Sequence, residues 1–96
     1  MSPLKRKKLA KIRLELDKLD NSLIKIIKKR TNLVKKVLML KDKKNQIVDN
    51  KRIKIILKNV RRKSILSKID PKITNRIWKN MIWSYIDFEK RNFKKK

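Results

Sequence analysis

From Leu9 the apolar residues fall at Leu9, Ile12, Leu16, Leu19, Leu23, Ile26, Leu33, Val37 and Leu40, at intervals that alternate three and four. Such a seam belongs to an α-helix packed in coiled-coil fashion, since a strand would alternate every two residues. A second stripe, Ile24, Ile27, Val34 and Leu38, widens the apolar face. The predicted helix runs from about Leu4 to Asp42 and stops in the polar stretch Asp42–Gln46. At 1.5 Å per residue it would be roughly 55–60 Å long, about twice the span of a compact domain of this size. Two shorter helices cannot cover that length. A second copy of the chain, related by a two-fold axis, is therefore expected to bury the remainder.

Asp49 is a good N-cap for a second helix, whose buried face is expected to be Ile53, Ile56, Leu57 and Val60, fading around Leu66. Asp70-Pro71 marks the start of a third, a cap followed by proline at the first helical position. This helix carries Ile73, Ile77, Trp78, Ile82, Tyr85, Ile86 and Phe93 along one side. The fold class is thus all-α: three helices, the first very long, in an intertwined homodimer. Residues 1–96 are read as one domain, with residues 1–8 and 92–96 as frayed basic tails.

Composition excludes several chemistries. Glycine is absent, and with it the glycine-rich phosphate cradle and the dinucleotide fingerprint. Cysteine and histidine are absent too, so disulfides and Ser-His or Cys-His nucleophiles are out, and no metal site is expected. The longest apolar run, Val37 to Leu40, is far too short for a membrane span or a signal-peptide core. A cytoplasmic protein is the default expectation.

The formal charge of +24 has two explanations. Lysine, isoleucine and asparagine are all plentiful, as AT-rich codon usage produces, which makes the charge a property of a solvated surface. Alternatively it attracts polyanions or anionic small molecules.

Some polar residues sit where apolar ones belong. Arg30 interrupts the first seam between Ile26 and Leu33, either as a register-setting charge or as the floor of an anion site. Lys41, eleven residues on, returns to within about 20° of the same face and about 16 Å along the axis. By itself it also suits a helix end, where a cation complements the dipole. On the third helix Glu89 continues the series Trp78, Ile82, Tyr85, so its carboxyl group points with the aromatics. A buried acid there is either paired with a cation or kept protonated by desolvation. Asp49 and Arg52, three apart, are spaced as a surface pair, and Arg13 lies roughly 100° around from Arg30. The pocket these residues would form is cationic, enclosed and free of nucleophiles, suited to a reaction that needs only binding and electrostatic stabilisation.

The order and spacing of these residues resemble the all-helical, type II family of chorismate mutases. The resemblance begins at Ile12-Arg13-Leu14-Glu15-Leu16-Asp17-Lys18-Leu19-Asp20 and runs through Leu23, Ile26, Arg30, Val37 and Lys41 to Asp49-Asn50-Lys51-Arg52. It closes on Ile77-Trp78-Lys79-Asn80-Met81-Ile82 and Glu89. It implies conversion of chorismate to prephenate, without cofactor, in two equivalent sites of a dimer. Each site would take Arg30, Lys41, Asp49, Arg52 and Glu89 from one chain and Arg13 from the other. In this family pattern Arg13 and Arg30 hold carboxylates, Arg52 completes the cationic wall and Asp49 places the ring hydroxyl. Lys41 and Glu89 flank the ether oxygen, and Tyr85 counts among the substrate-binding residues. Two departures stand out: Ile53 occupies a position where many members have glutamate, and Glu89 one where many have glutamine. The first leaves room for the related isochorismate-pyruvate lyase reaction. A rival class, a basic helical nucleic-acid-binding protein, rests on Lys5-Arg6-Lys7-Lys8, Arg61-Arg62-Lys63 and the lysine tail. Weak non-specific nucleic-acid binding is also compatible with the enzyme.

Overall fold

A computed structural model describes residues 1–94. Three α-helices, α1 (Pro3–Leu40), α2 (Asn50–Leu66) and α3 (Pro71–Asn92), and a 3₁₀ turn at Lys44–Gln46 make up its regular structure. The all-α class and the very long first helix are as the periodicity predicts. None of these helices is long and apolar enough to cross a membrane. Of the two expected tails, the first is helical from Pro3, because Ser2 caps it. The Ser2 hydroxyl accepts from the Lys5 N–H at 3.2 Å and the Ser2 carbonyl from the Arg6 N–H at 3.0 Å. Residues 95 and 96 of the other lie outside the described residues.

The chain divides into two compact units, Met1–Leu33 and Val34–Lys96. The first consists of the N-terminal part of α1. Its seam residues Leu16, Leu19, Leu23 and Ile26 are each more than half exposed. No acidic residue stands in the first turn of α1 and no basic one in its last, so the helix dipole gains nothing from side-chain charge.

The second unit is built on the pairing of α2 with α3. Asp49 caps α2, accepting from the Arg52 N–H at 3.0 Å, and Asp70 caps α3, accepting from the Lys72 N–H at 2.9 Å. Ile53, Ile56, Leu57 and Val60 line the inner side of α2, half-buried, as their spacing requires. On α3 the inward line is Pro71, Thr74, Trp78, Ile82, Tyr85, Ile86 and Glu89. Ile73 and Ile77, grouped with them by the sequence pattern, are about half exposed. They lie around the helix from Thr74, Trp78 and Tyr85, and α2 covers only one stripe of α3. Ser64 is the most buried residue of α2. Its hydroxyl donates to the Val60 carbonyl at 2.6 Å and shares a hydrogen bond of 2.7 Å with the Thr74 hydroxyl, so the two helices are joined by a satisfied polar contact.

The turn between α2 and α3 closes with two backbone bonds, Ile69 N–H to Ser64 C=O at 2.8 Å and Lys68 N–H to Ile65 C=O at 3.1 Å. This is a Schellman termination, which places its first residue beyond the cap in the left-handed region. That residue is Lys68, at φ 57°.

Candidate functional site

The segment from Lys41 to Asp49 joins α1 to α2 and is held by side chains around the short 3₁₀ turn at Lys44–Gln46. Gln46 turns its amide oxygen back onto the chain, accepting from the Asp42 N–H at 2.7 Å and the Lys43 N–H at 2.9 Å. Next to it, Ile47 is the most deeply buried apolar side chain described, 3% exposed. A polar clamp beside an apolar anchor fixes where the neighbouring side chains go.

One of those neighbours is Lys41. Its ammonium group donates to Glu89 Oε1 at 3.0 Å and to the Ile47 carbonyl at 3.5 Å. Glu89 is 5% exposed, and Lys41 is half-buried. A carboxylate this far out of water needs a counter-charge or a proton. Of the two states open to a buried acid at this position, the structure has the ion pair. Two residues 48 apart in sequence, both placed on apolar faces by periodicity, are thus brought into contact.

Lys41 also lines an open pocket together with Gln46, Val48, Asp49, Asn50 and Lys51. The pocket wall therefore holds two ammonium groups, one carboxylate, and polar groups at the entry to α2. Asp49 serves two ends. One oxygen caps α2 through the Arg52 N–H, which orients the carboxylate, and the residue as a whole stays exposed. Asp49 and Arg52 thus meet through a backbone donor. The Arg52 side chain is exposed on the first turn of α2, and Ile53 beside it is half-buried. Tyr85 lies half-buried on α3, one turn before Glu89.

Arg13 and Arg30 belong to the Met1–Leu33 unit, Arg13 exposed and Arg30 half-buried. Arg30 is the only half-buried residue on α1 between Leu9 and Thr31, in keeping with a guanidinium on an apolar seam. Gln46 and Lys51 were not singled out by the sequence. Gln46 reads as one polar residue of a helix end, and Lys51 as one lysine among many. Only the folded loop gives them a place beside Lys41 and Asp49.

This arrangement offers fixed cations and hydrogen-bonding groups for an anionic ligand with a hydroxyl. Among the described residues there is no group of His, Cys, Asp and Glu that could hold a metal ion. No curated protein and no solved structure gives a significant match to the chain. The family model for chorismate mutase type II matches residues 12–90.

Proposed function

We propose that this chain, which belongs to the chorismate mutase type II family, rearranges chorismate to prephenate in a site completed by a second copy of itself. The observation that carries the reading is the buried Lys41–Glu89 pair beside a pocket that also contains Asp49. Catalysis of a unimolecular rearrangement requires no nucleophile. It requires that the flexible substrate be held in its compact reactive conformer and that charge developing at the breaking C–O bond be met by donors already in place.

In this mechanism the ether C–O bond breaks as a C–C bond forms within the same molecule, and no proton or group is transferred. Arg30, with Arg13 of the second copy, would bind the two substrate carboxylates through forked, charge-assisted hydrogen bonds. Lys41 would donate to the ether oxygen. The ion pair supports this role, because Glu89 and the Ile47 carbonyl restrict where the ammonium can point. Glu89 would hold Lys41 in place at the same oxygen. Asp49, oriented by its capping bond, would accept from the ring hydroxyl, with Arg52 and Tyr85 completing the wall. The exposed seam of α1 supports the dimer. Leu16, Leu19, Leu23 and Ile26 form a continuous apolar stripe that a second α1 would cover.

The test is the loss of chorismate absorbance with purified protein, repeated with Arg30→Ala. Turnover to prephenate that falls at least a hundredfold in the variant supports both activity and site. Absence of turnover with chorismate, together with release of pyruvate from isochorismate, would replace the mutase by the lyase. Inertness toward both substrates would overturn the proposal.

A further inference from the structure

Between Asn50 and Ile86 the chain carries eleven lysines and arginines and a single carboxylate, Asp70. That carboxylate is engaged in capping α3. Within this segment the cations are not scattered evenly. Lys54, Lys58 and Arg61 recur at four and three residues, and Arg62 follows Lys58 by four, so they form one stripe along α2. All four are exposed, and they lie roughly 80–180° around the helix from the side occupied by Ile53, Val60 and Ser64.

The stripe borders two adjoining depressions that share Lys58 and Arg61. In one, those two side chains face Lys72 and Asn75 from the first turns of α3, and in the other they stand with Arg62 beside Ile65 and Leu66. No carboxylate lines either depression. Neither contains a residue assigned to the substrate pocket at Lys41.

A stripe of like charges at three- and four-residue spacing weakens the helix that carries it. Lys54–Lys58 and Lys58–Arg62 are such pairs, and α2 has no acidic residue to offset them. A ligand with regularly spaced negative charges would relieve that repulsion as it binds. A compact dianion would neutralise one end of the stripe, whereas a phosphodiester chain presents charge along its whole length.

We propose that the outer face of α2, with Lys72 and Asn75 of α3 as the opposite wall, is a groove for the phosphate backbone of a nucleic acid. The contacts are to phosphate and carry no base readout, so binding is independent of sequence and strongly dependent on salt. This function is separate from the chorismate site and does not rest on it.

The experiment titrates a fluorescein-labelled 20-base-pair DNA duplex with the full chain, over a range of salt concentrations. Two triple variants with the same net charge are compared: K58Q/R61Q/R62Q in the groove and K5Q/K7Q/K8Q at the start of α1. All six residues are exposed, and glutamine keeps helix propensity close to that of lysine and arginine. The groove variant is expected to bind at least tenfold more weakly and to flatten the slope of log K against log salt by about 2–3. The α1 variant is expected to lose less than threefold. Equal losses in the two variants would overturn the groove in favour of diffuse charge. Binding to phosphatidylserine vesicles with none to the duplex would overturn the nucleic acid in favour of a membrane. As a second readout, the duplex should raise the melting temperature of the wild-type chain and not that of the groove variant; an equal rise in both would count against the site.

Discussion

Lys41 and Glu89 illustrate how a charge is kept inside a small helical unit. The carboxylate is nearly inaccessible to water, and the ammonium at 3.0 Å replaces the solvation it has lost. Lys41→Met would leave that carboxylate unpaired and should cost about 1–3 kcal/mol in thermal or urea unfolding. Glu89→Gln is gentler, because the amide oxygen can still accept from Lys41 while its NH₂ donates at any pH. The glutamine variant should therefore keep Lys41 in place and retain chorismate turnover, and loss of turnover in that variant would show that the carboxylate itself is needed. Asp49 combines a structural and a chemical task that substitution can separate. Asp49→Ala removes the cap and should cost about 1 kcal/mol, or roughly 4–8 °C in Tm for a domain of this size, whereas Asp49→Asn retains a capping side chain and should melt near wild type. Equal destabilisation by the two would count against the cap as the source of stability.

At the scale of elements, α2 and α3 are each begun by an aspartate cap and joined by a turn that breaks a local rule. The Schellman termination after α2 calls for a residue at positive φ, usually glycine, and a chain without glycine uses Lys68 there. A side chain at that position costs about 1–2 kcal/mol of backbone strain, partly offset by the lower entropy of the unfolded lysine chain. Lys68→Gly should therefore stabilise the chain by about 0.5–1 kcal/mol, measured by urea unfolding; a loss of stability would show that the lysine side chain contributes more than its strain. The Ser64–Thr74 hydrogen bond lies just before this turn, and helps explain why α2 and α3 pair in one register despite the weak apolar face of α2. Both stand in register with the inward-facing stripes, Ser64 four residues after Val60 and Thr74 four before Trp78, but no period shows that the two hydroxyls meet. The same limit explains Ile73 and Ile77, which fit a helical stripe and yet face away from α2.

For the whole molecule, the amount of apolar surface left open decides the expectation. Along α1 the seam from Leu16 to Ile26 is exposed, and among the described residues only Ile47 and Ile86 are buried apolar residues. One copy therefore has little core of its own, and small domains with so little burial depend on association. The proposed homodimer should show a melting temperature that rises with protein concentration and a sedimentation coefficient of two chains at micromolar concentration. Leu19→Lys combined with Leu23→Lys should shift it to monomer with loss of helical circular dichroism. A wild-type chain that sediments as a folded monomer would rule out the shared site and with it the role of Arg13.

The helices, their caps and the family were legible in the sequence because each depends on local order: the 3.6-residue period, an aspartate before a turn, and the spacing of Arg13, Arg30, Lys41, Asp49, Arg52 and Glu89. The seam substitutions at Arg30 and Glu89 were legible for the same reason, since a charge in an apolar series stands out without any knowledge of its neighbours. The pairing of Lys41 with Glu89 was not, because it joins residues 48 apart, and no period relates the end of one helix to the end of another. Tertiary structure alone also decided that Gln46 clamps the loop, that Ser64 rather than an isoleucine is the most buried residue of α2, and that Ile73 and Ile77 stay outside. Periodicity says which side of a helix is apolar. Which part of that side is covered depends on the position of the helix packed against it.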